Sequence, residues 1–213
     1  MTAVVAGIVL GAGRSTRLGR PKQTLPFGDT TLLGRVVRDV EASSLDSVIV
    51  VVGGAAEEAR ACLPAGRSRV VTNAAYASGC ASSLLAGLDA AGRCDAVMLL
   101  LGDMPGVDAA IVASVRADWE RHRPWSAVTS YRGRLGHPFV FSASALPTLR
   151  DLHGDKAVWK VVDTRSERVR HVAVDRPLPV DVDTWDDYLA ACEDLGVDPV
   201  TASAQPLTRP ARG

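Results

Sequence analysis

The sequence lacks any pair of cysteines at the short spacing that metal and redox sites use. Zinc sites and thioredoxin-like redox motifs need two cysteines within a few residues of each other, and no C-x-x-C occurs here. We therefore expect no zinc or redox centre, and we predict reduced thiols that are mostly buried. The cysteines are Cys62, Cys80, Cys94 and Cys192.

Net charge and long apolar runs are also missing. Lys and Arg together number 24, as do Asp and Glu, so a bulk attraction to nucleic acid or to a membrane surface has no support. No apolar run approaches the roughly 20 residues that span a bilayer, and no signal peptide precedes Val4. We expect a cytoplasmic protein, monomeric by default, whose electrostatic binding site is local.

What the chain does have is enough apolar sequence for a core of ordinary size, with 47% hydrophobic residues in 213. In the first half, apolar runs rich in β-branched residues alternate with helical patterns, which predicts a parallel, doubly wound sheet. We predict one domain over 1–196 and a flexible tail over 197–213, where polar residues and prolines occur. The predicted strands are 4–10, 48–52, 69–72, 95–101, 126–131, 139–141, 169–174 and 179–182. The predicted helices are 32–42, 55–62, 108–121, 143–150 and 156–162, with others after Gly79 and Thr184.

The most informative stretch is 4–22, an apolar run that ends in Gly11-Ala12-Gly13. Glycines let the backbone turn sharply and expose its N–H groups. Four cations follow with no acid among them: Arg14, Arg17, Arg20 and Lys22. A buried strand, a glycine turn and a cationic loop together indicate a site for a polyanion, and a triphosphate fits best.

Two known phosphate motifs fit this stretch poorly. The dinucleotide fingerprint G-x-G-x-x-G has Thr16 in place of its third glycine, and the acid for the ribose would have to be Asp29, at a bend. The P-loop pattern fails because Gly13 and Gly19 are too far apart and Arg20 follows. An ordinary strand-to-helix turn with solvated arginines stays open, and a nicotinamide-dependent oxidoreductase is an unfavoured alternative.

Two later segments carry candidate ligand-binding groups. Ser82 and Ser83 fall near the start of a predicted helix, where their hydroxyls either face a ligand or cap the helix. Asp103 follows the predicted strand 95–101, at the strand end where open α/β sheets bind ligands. A carboxylate there needs a cation or hydrogen bonds. We favour a metal-ligand role for Asp103 over a turn aspartate bonded to its own backbone.

His137 lies in the glycine-rich segment 133–138, which we predict to be a loop between two strands. It either contacts a ligand or is simply solvated. Pro138 fits the edge or the start of the second strand. Thr184 is placed to cap a final helix.

The order of the motifs adds specificity. The chain contains L-G-A-G-R-S-x-R-L-G-x-x-K (10–22), N-x-x-Y-x-x-G-x-x-S-S-L (73–84), L-G-D-M-P (101–105), G-H-P-x-x-F (136–141) and D-V-D-T (181–184). This pattern resembles the MobA-like nucleotidyltransferases, and among them the molybdenum cofactor cytidylyltransferases, which join CMP from CTP to molybdopterin. The resemblance implies an α/β, three-layer, Rossmann-like fold with a mostly parallel sheet and helices on both faces.

The resemblance also implies roles for individual residues. Arg14, Lys22 and Asp103 would be catalytic, with Asp103 binding Mg²⁺ and Asp183 a second candidate acid at the metal. Gly136, His137 and Pro138 would face the acceptor, a molybdopterin-type phosphate, and a molybdenum hydroxylase is a possible partner. The nucleotide, CTP by this resemblance, would be held by Leu10, Gly11, Ala12, Gly13, Arg14, Lys22, Asn73, Gly79, Ser82 and Ser83.

Three departures leave alternatives open. Gly11 stands where resembling sequences usually have alanine, and Trp185 stands where many have proline. A frequent G-D-x-G-A-R segment appears at 154–159 without its second glycine and its arginine. Since that segment often lies near the acceptor, another nucleotide or another phosphate acceptor remains possible, as does a non-catalytic protein that binds the finished cofactor.

Overall fold

A computed structural model of the protein describes residues 2–13, 15, 18–154 and 157–199. Arg14 and Arg17 lie outside this set, so the catalytic and nucleotide-binding role expected of Arg14 stays a prediction. The same holds for 155–156, within the segment that departs from the family pattern, and for residues 200–213 of the predicted tail.

The described residues form strands that alternate with helices along most of the chain. The strands are β1 (Val5–Gly11), β2 (Pro26–Phe27), β3 (Thr30–Thr31), β4 (Ser47–Val52), β5 (Arg69–Thr72), β6 (Ala96–Leu101), β7 (Ser126–Tyr131), β8 (Arg134–Ser142) and β9 (Val169–Val174). The helices are α1 (Leu32–Glu41), α2 (Ala56–Ala61), α3 (Cys80–Ala91), α4 (Ala109–His122), α5 (Leu146–Arg150), α6 (Ala157–Thr164) and α7 (Trp185–Asp194).

Seven strands form one sheet in the order β5-β4-β1-β6-β8-β7-β9. All its neighbouring pairs are parallel except the two that involve β8. The mostly parallel sheet predicted from the sequence is therefore confirmed. Because β1 pairs with β4 on one side and β6 on the other, the carboxyl ends of these three strands meet at one edge, where such sheets bind ligands.

Helices cover both faces of the sheet, as predicted. The side chains of β1 alternate, so Val9 packs in one core and Ile8 in the other. The first core includes Val36 of α1 and Val115 of α4, and the second includes Leu84 of α3. An apolar run with no polar interruption is what a strand buried on both faces requires.

A third, smaller core holds α7 against the β2–β3 hairpin. Tyr188 donates a hydrogen bond from its hydroxyl to the Pro26 carbonyl at 2.5 Å. Thr184 caps α7, and its side chain and that of Asp187 form a reciprocal capping box. Just before α7 the backbone passes the end of β6, where the Val182 amide donates to the Asp103 carbonyl at 3.0 Å.

The strand predicted at 179–182 is wrong, because these residues pair with no described strand. Pro179 has no N–H to donate to a neighbouring strand. The Val182 amide donates to the Asp103 carbonyl, just after β6.

The loop predicted at 133–138 is also wrong. A tight turn at Arg132 and Gly133, with φ of 46° and 87°, lets β8 begin at Arg134. Gly136, His137 and Pro138 therefore lie within a strand. A shift in the pairing of β7 between Val128 and Thr129 accommodates them.

The prediction of mostly buried cysteines is wrong as well. Only Cys192 is buried, whereas Cys62 and Cys94 are half-buried and Cys80 is exposed. Cys62 directly follows α2 and Cys80 begins α3, and helix ends at the surface have fewer neighbours than helix centres. Burial nevertheless raises the pKa of the Cys62, Cys94 and Cys192 thiols.

Within the described part of the chain, no helix has the length and apolar character needed to cross a membrane.

Candidate active site

The glycine turn after β1 is held from behind by one buried glutamine. Gln23, only 4% exposed, donates from its Nε2 to the carbonyls of Gly11 at 2.8 Å and Gly13 at 3.0 Å. A Cβ at Gly11 would lie 3.1 Å from a methyl of Leu33. This tight contact explains why glycine suits position 11. The turn is therefore fixed by packing and by two hydrogen bonds.

A cavity of about 340 Å³ opens beside this turn. Its lining residues are Leu10, Ala12, Gly13, Tyr76, Ala77, Gly79, Cys80, Ser83, Leu101 and Asp103. The sequence-based assignment missed the Tyr76 side chain, although it lies within the N-x-x-Y motif. The Tyr76 ring packs directly on Gly54, where a Cβ would approach the ring to 2.7 Å. Glycine at position 54 thus makes room for the aromatic wall of the cavity.

Asn73 supports this cavity from within the protein. Its side-chain Nδ2 donates to the hydroxyls of Ser82 at 2.9 Å and Ser83 at 3.0 Å, and its Oδ1 accepts from the Ala75 amide at 2.9 Å. Asn73 is 6% exposed. These contacts commit the Asn73 side chain to holding the first turn of α3, and Ser83 is the neighbour that lines the cavity.

Lys22 and Asp103, distant in sequence, are in direct contact. The Lys22 ammonium forms an ion pair with Asp103 Oδ2, and it lies 2.9 Å from Asp183 Oδ1 and 3.0 Å from the Val182 carbonyl. Burial alone would lower the pKa of Lys22, but the two carboxylates offset this and leave that pKa above its usual value. The Lys22 side chain is therefore a buried cation surrounded by carboxylates.

Three carboxylates converge at this point, those of Asp103, Asp181 and Asp183, each offering an oxygen within 4.8 Å of the others. Burial and then the charge of Asp103 raise the pKa of Asp181 to about 7. Oδ1 of Asp103 is buried and accepts no hydrogen bond from the described residues. Several carboxylate oxygens with excess negative charge suit a hard divalent cation such as Mg²⁺ or Mn²⁺.

The sequence named Asp103 and Asp183 but missed Asp181 as a third acid. The spacing of Asp181 and Asp183 could have revealed it, because residues i and i+2 of an extended segment face the same side.

A second cavity, of about 370 Å³, lies next to the acids. Its lining residues are Leu101, Met104, Arg134, Leu135, Gly136, His137, Trp159, Leu178, Pro179, Val180, Asp181 and Asp187. Leu101 lines both cavities. Of the three expected acceptor residues, Gly136 and His137 line this cavity, while the Pro138 carbonyl accepts a hydrogen bond from Thr129 at 2.8 Å.

His137 is held as a neutral ring in the wall of the second cavity. Its Nδ1–H donates to the Leu99 carbonyl at 3.2 Å, and its ring lies 4.1 Å from that of Phe139. Burial lowers the pKa of His137 to about 4. The sequence left open that His137 is a solvated loop residue. The structure instead shows a buried residue within a strand, with 6% of its surface exposed.

A third cavity, of about 410 Å³, adjoins the first through Gly13 and Tyr76. Ser15, Gly19, Arg20 and Pro21 line it on the side of the cationic loop. The site therefore consists of a cavity with an extension toward cations, a cluster of acids and a second cavity beyond them.

Fold and site together define a nucleotide-binding α/β protein with its site at the carboxyl edge of the sheet. The chain belongs to the MobA-like NTP transferase family, since the family model described as the MobA-like NTP transferase domain matches residues 7–174. The family expected from the sequence motifs is thereby confirmed.

Known relatives cover most of the chain. It is 32% identical over 154 residues, 68% of this chain and 74% of the other, to nicotine blue oxidoreductase of Paenarthrobacter nicotinovorans. The structure of Rv0371c from Mycobacterium tuberculosis is 41% identical, with a TM-score of 0.82, over 90% of this chain and all of that one. Another structure of Rv0371c is a complex with manganese. Mth528, a nucleotidyl transferase from Methanothermobacter, is 25% identical with a TM-score of 0.74, over 90% of this chain and 97% of that one.

Proposed function

We propose that this protein is a Mg²⁺-dependent nucleotidyltransferase that moves CMP from CTP onto the phosphate of molybdopterin and releases pyrophosphate. The observation that carries the proposal is the contact between Lys22 and Asp103 beside two cavities that share Leu101. A reaction between two anionic substrates needs positive charge where they meet, and this is where the chain places a buried ammonium and a set of cation ligands.

The first cavity is the proposed nucleotide site. Its apolar lining at Leu10 and Ala12 suits a base and ribose, while Gly13 connects it to the third cavity and to Arg20. The triphosphate would extend in that direction, toward the cationic loop. Arg14 keeps its proposed role in this loop as a phosphate contact.

Asp103, Asp181 and Asp183 are the residues that would hold Mg²⁺. Two features of this chain fit a divalent cation: Oδ1 of Asp103 is buried without a hydrogen bond from the described residues, and the three carboxylates lie close together. Once bound, such an ion would offset the negative charge of the phosphates.

The chemistry asks little of a general base. A phosphomonoester has a second pKa near ~6, so the acceptor phosphate is mostly a dianion at neutral pH. One of its oxygens attacks the α-phosphorus of the nucleotide, and the bond from that phosphorus to the bridging oxygen of pyrophosphate breaks. Lys22 would stabilise charge on the transferring group. His137, neutral and hydrogen-bonded to Leu99, would position the acceptor rather than move a proton.

The second cavity is the proposed acceptor site. Trp159 and Leu135 supply apolar surface for a flat ring, and Arg134 supplies a cation for a phosphate. A molybdenum hydroxylase that receives the product is part of this proposal, which here rests on the family resemblance.

A pyrophosphate-release screen of the four nucleoside triphosphates, with molybdopterin as acceptor and with Mg²⁺ or Mn²⁺, tests the proposal. We expect release that requires CTP, acceptor and metal together. Release with GTP or with another phosphate acceptor would correct the substrates and keep the reaction. No release with any nucleotide, from folded protein, would refute the transferase. Cofactor that co-purifies with such an inactive protein would favour an accessory role.

One relative's name supports a different reaction. Nicotine blue oxidoreductase, at 32% identity, is named as an oxidoreductase, so an oxidoreductase is the second candidate, and we test it with a nicotinamide cofactor. The buried lysine and three acids have no clear task in a hydride transfer, which favours the transferase. Thermal-shift titrations with NADH and with CTP–Mg²⁺ distinguish the two, since only the proposed substrate should raise the unfolding temperature at micromolar concentration.

A further inference from the structure

The Lys22 ammonium occupies the position between the acids where a metal ion would have to bind. It contacts Asp103 Oδ2 and lies 2.9 Å from Asp183 Oδ1, two of the three carboxylates that could hold the ion. Lys22 is only 7% exposed, so its side chain is buried between the acids and does not extend into solvent.

A divalent ion bonded to the same oxygens would lie within a few ångströms of the ammonium. Like charges at such a distance repel strongly in a partly buried site. Yet one lysine does not neutralise three carboxylates, and Oδ1 of Asp103 is left buried without a hydrogen bond from the described residues. The cluster therefore retains affinity for more positive charge, but access to it is limited by Lys22.

The Lys22 ammonium has a second position within reach, beside Gly13. Its Cε lies 3.6 Å from where a Cβ of Gly13 would be, and Gly13 lines both the first and the third cavity. Rotation about the outer bonds of the side chain would carry the ammonium from the acids toward phosphates bound beside Gly13. Phosphate oxygens would replace the carboxylates as its partners.

We propose that Lys22 keeps the metal site closed until the nucleotide arrives, so that the divalent ion binds with the triphosphate and not before it. The inference rests on the proposed function, because the triphosphate is what draws the ammonium away. Reciprocity then requires that metal and nucleotide each tighten the binding of the other.

The experiment measures Mn²⁺ binding by the full chain without nucleotide, from the electron paramagnetic resonance signal of free Mn²⁺. If the Lys22 ammonium lies between the acids about 90% of the time, the metal site is free about 10% of the time, and the apparent metal affinity is about tenfold weaker. Lys22→Met is therefore expected to bind Mn²⁺ at least about tenfold more tightly. Arg20→Met removes an exposed charge from the same loop and is expected to change the affinity less than about twofold, because water and salt screen that charge.

Unchanged or weaker Mn²⁺ binding by folded Lys22→Met would overturn the inference, as would an equal gain in Arg20→Met. Lys22→Arg gives a second test, since it keeps the charge and is expected to stay close to the wild-type affinity. A large gain in Lys22→Arg would also overturn it, even if Lys22→Met did not fold. Because no substrate is present, tighter metal binding in Lys22→Met stands even if the pyrophosphate screen fails.

Discussion

Replacing Gln23 with methionine tests how far nucleotide binding depends on one buried amide. Methionine has nearly the same length but cannot donate to the carbonyls of Gly11 and Gly13, which the Gln23 amide now holds at 2.8 and 3.0 Å. A hydrogen bond of this kind contributes about 1 kcal/mol. Losing both costs the ordered turn about 2 kcal/mol, which weakens nucleotide binding by up to about thirtyfold if only the ordered turn binds.

Global stability should change much less than binding in this variant. Oε1 of Gln23 is buried without a hydrogen bond from the described residues, so methionine also removes an unsatisfied polar atom. Initial rates of pyrophosphate release at varied CTP should show a raised KM with little change in kcat, and the melting temperature should stay close to that of the wild type.

Thr24→Val is the matched control for this experiment. It removes a side-chain hydrogen bond from Thr24 to Pro21, at 3.0 Å, in the same short turn, without touching the glycines. Its KM for CTP should not move. An unchanged KM in folded Gln23→Met, or an equal rise in Thr24→Val, would refute the view that Gln23 orders the nucleotide turn.

Three further predictions follow from the site and its supports. Asp181→Asn should lower pyrophosphate release on the order of 10²–10³-fold without unfolding the protein; near-normal turnover would remove Asp181 from the proposed metal site. Because the pKa of His137 falls from 6.5 to about 4 on folding, the unfolded chain binds the extra proton, and this residue lowers stability as pH falls from 6.5 toward 4. His137→Phe should lessen that loss in urea melts at several pH values, and an unchanged pH slope would contradict the reasoning. Tyr188→Phe removes the hydrogen bond to Pro26 and should cost about 1 kcal/mol in the free energy of unfolding; no loss in a denaturant titration would show that the bond contributes nothing.

The central part of the fold was predictable because its signals are local. An uninterrupted apolar run ending in glycines can hardly be anything but a strand buried on both faces, and β1 is that strand. Asp103 could be assigned to the ligand-binding edge because it directly follows another such run, β6. The structure adds that β1 and β6 are neighbours in the sheet, which brings the chain after β1, with Lys22, close to Asp103.

The parts that sequence reasoning missed depend on tertiary contacts. The segment 179–182 looks like a strand, but whether it pairs is decided by its neighbours, and here Val182 bonds to the end of β6. His137 stands between a glycine and a proline, which favours a loop until the strand beside it is known. No local pattern marked Gln23, whose partners are backbone carbonyls 10 and 12 residues earlier in the chain. The single domain over 1–196 and the flexible tail remain predictions.

The segment before α7 supplies Asp181 and Asp183, two of the three acids that could hold the metal. During synthesis on the ribosome, a growing chain could complete β1 through β9 and still lack both carboxylates. The site would then assemble only after α7 emerges and docks on the hairpin through Tyr188. Nascent chains would therefore remain unable to hold the metal until α7 has emerged and docked.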